Sequence, residues 1–119
     1  MKNILLLLIV LSGSITIRSQ TPPIIYVAGD GSGDYNCDGI KDQIEINQAL
    51  DFVAANSDYT TVHLKGKNTY WIDETIFISE NTILEGDSNA VIKLVDNANW
   101  NTQFKPLIGH RPVILILSG

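Results

Sequence analysis

The sequence predicts an all-β fold of stacked short strands, closed at one end by a helix. Three observations predict it. Five short β-prone runs, TTVHL, TYWI, TIFI, NTILE and AVIKLV, follow one another from Thr60 onward, separated by Gly, Asn, Asp and Ser. Set against itself at an offset of 20, the chain shows a weak repeat in which LKGKNTYWI from Leu64 lies over LEGDSNAVI from Leu84. An amphipathic helix directly precedes these runs. A repeat of about 20 residues made of strands and turns marks a β-solenoid, because each coil buries its inner row only by stacking on the next. The open end of such a stack exposes apolar side chains and unpaired strand edges, and a helix laid across it keeps water out.

The elements divide the chain into three stretches. Residues 1–19 have the order of a secretory signal: Lys2 as a positive start, the apolar run Ile4 to Val10, then small residues at Ser12, Ser14 and Ser19. A membrane-spanning anchor needs about 20 apolar residues, more than this run supplies. Export is therefore expected, with cleavage after Ser14 or Ser19 and no stable membrane insertion afterwards. Residues 20–41 carry a short strand, Ile24 to Ala28, and the loop GDGSGDYNCDG, whose glycines, aspartates and asparagine favour turns. Residues 42–119 hold the helix and the first coils. Ile44, Ile46, Ala49, Leu50, Val53 and Ala54 recur at helical spacing, so the helix is expected over 42–55. Asp42 serves as its N-cap, and Glu45 three residues on completes a capping box.

DYNCDGIKDQIE, residues 34–45, supports two readings. Asp34, Asn36, Asp38, Ile40 (through its carbonyl), Asp42 and Glu45 occupy positions 1, 3, 5, 7, 9 and 12 of a calcium loop, with Gly39 at the turn. Calcium is the cofactor this loop would hold. Against that, position 8 is Lys41, and GDGSG upstream cannot form the preceding helix. In the other reading these residues build a turn and the start of a helix, which accounts for all of them except Asp34 and Asn36, both common turn formers.

The remaining chemistry-bearing residues form no recognisable catalytic motif. His63 falls within a strand and His110 beside Arg111, neither with a serine or cysteine nucleophile. Asp73 and Glu74 are adjacent in a turn, where solvated charge is the usual role. Tyr70 and Trp71 alternate along a strand, so one of them faces the core, while Tyr70, Trp71 and Trp100 are candidates for stacking on sugar rings. One cysteine, Cys37, excludes an internal disulfide. A net charge of −5 excludes the basic surface that nucleic acid demands.

The order VAGDGSGD, DGIKDQIEINQALDFV, TVHLKG, TYWI, IFISENTILEGD and AVIKL resembles the opening of the pectate-lyase-like right-handed parallel β-helix family. Asp38, Gly39 and Asp42 match its D-G-x-x-D turn, Asn68 to Tyr70 its G-T-Y element, and Thr82 to Gly86 its T-L-x-G strand. The DYNCDG version is most similar to surface β-helix proteins of methanogenic archaea, including disaggregatase-like ones. The resemblance implies an exported or cell-surface protein that degrades an acidic or envelope polysaccharide by lyase or hydrolase chemistry. The competing expectation is a non-enzymatic surface solenoid that binds glycan or builds the envelope. Because the sequence ends on PVILILSG in what reads as mid-strand, this chain is expected to be the N-terminal portion of a longer protein. Its catalytic groups and polysaccharide contacts would then lie on later coils, with none catalytic in this stretch.

Overall fold

A computed structural model describes residues 23–100 and 105–111. The expected signal segment and the terminal run PVILILSG lie outside these residues. The described elements run β1 (Ile24–Ala28), β2 (Tyr35–Asn36), α1 (Gln43–Ala55), β3 (Thr61–Leu64), β4 (Asn68–Ile72), β5 (Ile76–Ile78), β6 (Ile83–Gly86), β7 (Ala90–Leu94) and β8 (Ile108–His110). The five β-prone runs become β3 to β7, and the helix starts one residue after its expected N-cap.

The expected all-β right-handed parallel β-helix is corrected by this arrangement. The described residues form a small mixed α/β domain with one helix and short parallel strand pairs in small sheets. One sheet has the order β2-β1-β3-β6, and two further sheets are the pairs β4-β7 and β5-β8. Pairing steps by 22 residues in β3-β6 and β4-β7, where Thr61 meets Ile83 and Asn68 meets Ala90, but by 32 in β5-β8, where Ile76 meets Ile108. No uniform coil is therefore maintained among the described residues, and no solenoid is formed. The helix is also more than a lid. Ile46, Ala49, Leu50 and Val53 are buried in the same cluster as Val27, Val62, Leu64, Tyr70, Ile72 and Ile76.

Alternation along the strands sets which side chains enter that cluster. In β1, Ile25 and Val27 point inward and Tyr26 outward; in β3, Val62 and Leu64 point inward and His63 outward. Tyr70 is buried and Trp71 half-buried, as alternation on β4 requires. Ile44, expected on the apolar face of the helix, is instead 46% exposed, and Gln43 takes a buried place.

The capping box is not formed. Asp42 makes no side-chain cap to its helix. Its carboxylate accepts from Gly39 N (2.8 Å) and Trp71 N (2.8 Å), and its own N–H donates to Trp71 O (2.8 Å). Asp42 thus clamps the start of α1 to β4 rather than stabilising the first turn. The turn before it depends on Gly39, whose φ of +88° is a conformation that side chains disfavour.

Candidate functional site

The outer face of the β1-β3-β6 sheet gathers a cluster of polar and aromatic side chains. Register does this directly. Tyr26 pairs with His63 across β1-β3, and His63 with Glu85 across β3-β6, so the three stand in one outward row. Tyr26 and His63 ring centroids are 5.5 Å apart in a tilted contact. His63 Nδ1 lies 2.9 Å from Glu85 Oε1, and Nε2 lies 3.0 Å from Asp87 Oδ1. Beside the row, Lys65 Nζ donates to Ser32 O (3.2 Å) and Ser32 Oγ (3.0 Å), and sits 5.7 Å from the Tyr26 ring centroid.

Next to this row is an open cleft of about 310 Å³, lined by Asp30, Ser32, Lys65, Lys67, Asp87 and Asn89 among others. Its two aspartates are held ionised. Hydrogen bonds from Ser32 hold Asp30 below the ordinary carboxylate range. The Gly66 N–H, donated at 2.7 Å, and then His63 do the same for Asp87. Hydrogen bonds to the two carboxylates, Glu85 foremost, in turn raise His63 above its ordinary value. The result is a ridge with an aromatic ring and paired ionised acceptors. While its histidine is protonated, both nitrogens are committed to carboxylates and no imidazole lone pair is free for general-base work.

The residues of the calcium reading are placed as follows. Asp34 Oδ2 accepts from Tyr26 N (2.8 Å), Asn36 Oδ1 from Gly33 N (2.9 Å) and Asp38 Oδ1 from Ile40 N (2.9 Å). The side chain of Ile40 is 70% exposed. Asp42 and Glu45 come together with a residue outside that reading, Cys37, their ligand atoms lying within 4.8 Å of one another. Glu45 Oε2 is buried without a hydrogen-bond partner. A thiol with two carboxylates is a donor set that suits zinc better than calcium. Burial, and then the neighbouring acids Asp42, Glu45 and Asp38, push the Cys37 thiol up to about 12, so any metal bound there would have to displace a proton. With that shift and an exposure of 7%, Cys37 is expected to resist a thiol reagent at pH 8 in the native protein. It should react at the ordinary rate in denaturant. Rapid native labelling would contradict its placement.

The other sequence candidates are dispersed. Asp73 accepts from Gln43 Nε2 (2.6 Å), and Glu74 pairs with Lys105 (2.7 Å), so this adjacent pair serves tertiary contacts. Trp71 lies under Lys93 Nζ at 4.7 Å on the second sheet, and Trp100 Nε1 donates to Lys105 O (2.8 Å). The partners of His63 escaped the sequence reading because they lie 22 and 24 residues along the chain. The signal that would have found them is the β3-β6 pairing step.

Comparison with protein-family models, with curated proteins and with solved structures found no match. No helix among the described residues is long and apolar enough to cross a membrane.

Proposed function

We propose that this domain belongs to an exported protein and contacts a polysaccharide through the outer face of its first sheet, binding rather than cleaving. The observation that carries this reading is the row Tyr26–His63–Glu85 with Asp87 beside it. An exposed aromatic ring offers an apolar platform to the C–H face of a sugar. Ionised carboxylates at the edge of such a platform accept hydrogen bonds from sugar hydroxyls, and charge-assisted bonds of this kind are the stronger sort. The signal-like N-terminal segment and the likeness of the sequence to pectate-lyase-like proteins both favour an exported glycan ligand.

Charge narrows the ligand. With a net charge of −5 and Asp30, Asp34, Glu85 and Asp87 all exposed near this face, a polyanionic chain meets repulsion that a neutral one does not. A neutral, hydroxyl-rich polysaccharide is therefore the expected ligand. Affinity electrophoresis of the purified protein through gels cast with a neutral glucan or with polygalacturonate tests this. Retardation by the neutral polymer is expected, weakened about tenfold in Tyr26→Ala, a loss of ~1.4 kcal/mol. Unaltered mobility in both gels would overturn the reading.

A further inference from the structure

Neutral imidazole carries one N–H and imidazolium carries two, whereas an ionised carboxylate can only accept. Both ring nitrogens of His63 meet carboxylates, at 2.9 Å and 3.0 Å. Both contacts can be hydrogen bonds only while the ring is protonated. We propose that the Glu85–His63–Asp87 clamp is a pH-sensitive latch, tying β6 to β3 while His63 is protonated and letting β6 loosen once it is neutral.

The two arms of the clamp are unequal. Asp87 Oδ2 also accepts from Gly66 N at 2.7 Å, which anchors Asp87 to the turn between β3 and β4. Glu85 is exposed. When the ring proton leaves to water, His63 keeps its Nε2–H on Asp87 and turns the Nδ1 lone pair toward Glu85. Lone pair and carboxylate repel, and Glu85 swings away. The strand this frees is the edge of its sheet, and its Ile83 is already 54% exposed, so little else restrains its outer side.

The groups facing His63 are the Tyr26 ring from β1, Glu85 from β6, Asp87 from the turn after β6, and Lys65 just beyond the end of its own strand. The two carboxylates dominate and hold the ring protonated above its ordinary pH range. For a group raised on folding, the stabilisation is complete below the unfolded value, about 6.5 for histidine, and is lost as pH rises through the folded value. The latch is therefore closed below about 6.5 and opens as pH rises through the higher, folded-state value of His63.

The latch shares its row with the proposed glycan contact but does not rest on it, and its test contains no glycan. NMR titration of the His63 ring in the full chain, with amide hydrogen exchange measured across the same pH range, decides it. The ring midpoint is expected above about 6.5. Exchange protection, corrected for intrinsic rates, should fall about fivefold or more through that midpoint at Ile83 N and Asp87 N, which bond Thr60 O and Leu64 O. Lys65 N, bonded to Val27 O between β1 and β3, should hold its protection. Glu85→Gln, a change at an exposed site, should lower the midpoint and flatten the step. A midpoint at or below the ordinary value, or β6 protection that ignores pH, would overturn the latch.

Discussion

Asp42→Ala is expected to cost about 4 kcal/mol of folding stability, read as a lowered urea midpoint with an unchanged slope. Asp42 is fully buried, and its two carboxylate oxygens accept the Gly39 and Trp71 N–H groups at 2.8 Å each. Removing the carboxylate leaves two part-buried donors without their partner, and each stranded donor costs about 1–3 kcal/mol. The substitution also cuts half of the reciprocal pair in which Asp42 N donates to Trp71 O, so the start of the helix loses its hold on β4. Asp42→Asn separates these hydrogen bonds from volume. Asparagine fills the same space but turns an NH₂ toward one of the two donors, so its cost should approach that of alanine. A loss under about 1 kcal/mol for both variants would mean that the clamp is not what seats the helix.

Tyr70→Ala is the second large effect, at about 4 kcal/mol, from the cavity left by a fully buried aromatic ring. Tyr70 is the largest of the fully buried side chains. Its hydroxyl shares its one proton between Val27 O (3.0 Å) and Lys65 O (2.7 Å), so one side chain on the second sheet bridges the main chains of β1 and the end of β3. Tyr70→Phe keeps the ring and should cost about 1–2 kcal/mol, the share carried by the hydroxyl. Equal costs for the two variants would place the whole effect in the hydrogen bonds and contradict a packing role for the ring.

Local structure was legible in this sequence wherever a period was sustained. Helix α1 spans thirteen residues, and its three- and four-residue spacing singled it out. Strands β3 to β7 announced themselves through β-branched and aromatic runs between turn residues. The strands that escaped are those with no run to read: β2 is two residues, Tyr35–Asn36, and β8 contains a glycine in its three, Ile108–His110. Their pairing is supplied by neighbours, β1 for one and β5 for the other.

Assembly was less legible, for a definite reason. Sequence likeness laid Leu84 over Leu64, but in the sheet Leu64 pairs with Gly86 and Leu84 with Val62. The two alignments differ by an even number of residues, and side chains alternate with period two. Each therefore predicts the same inward and outward faces, so the hydrophobic pattern could not choose between them. That same slip concealed the outer row, because only the true register sets Glu85 opposite His63. The Asp34–Glu45 stretch posed a different problem. Asp and Asn side chains bond their own backbone as readily as they bind cations, and composition alone does not separate the two uses. Here the oxygens of Asp34, Asn36 and Asp38 each take a backbone N–H.

The most direct test of the polysaccharide reading is an NMR titration of the ¹⁵N-labelled protein with a neutral oligosaccharide at mildly acidic pH, where His63 is protonated. Saturable shifts concentrated on Tyr26, His63, Lys65, Glu85 and Asp87, and absent in Tyr26→Ala, are the predicted result. Shifts confined to the Trp71–Lys93 face, or none at all, would contradict it.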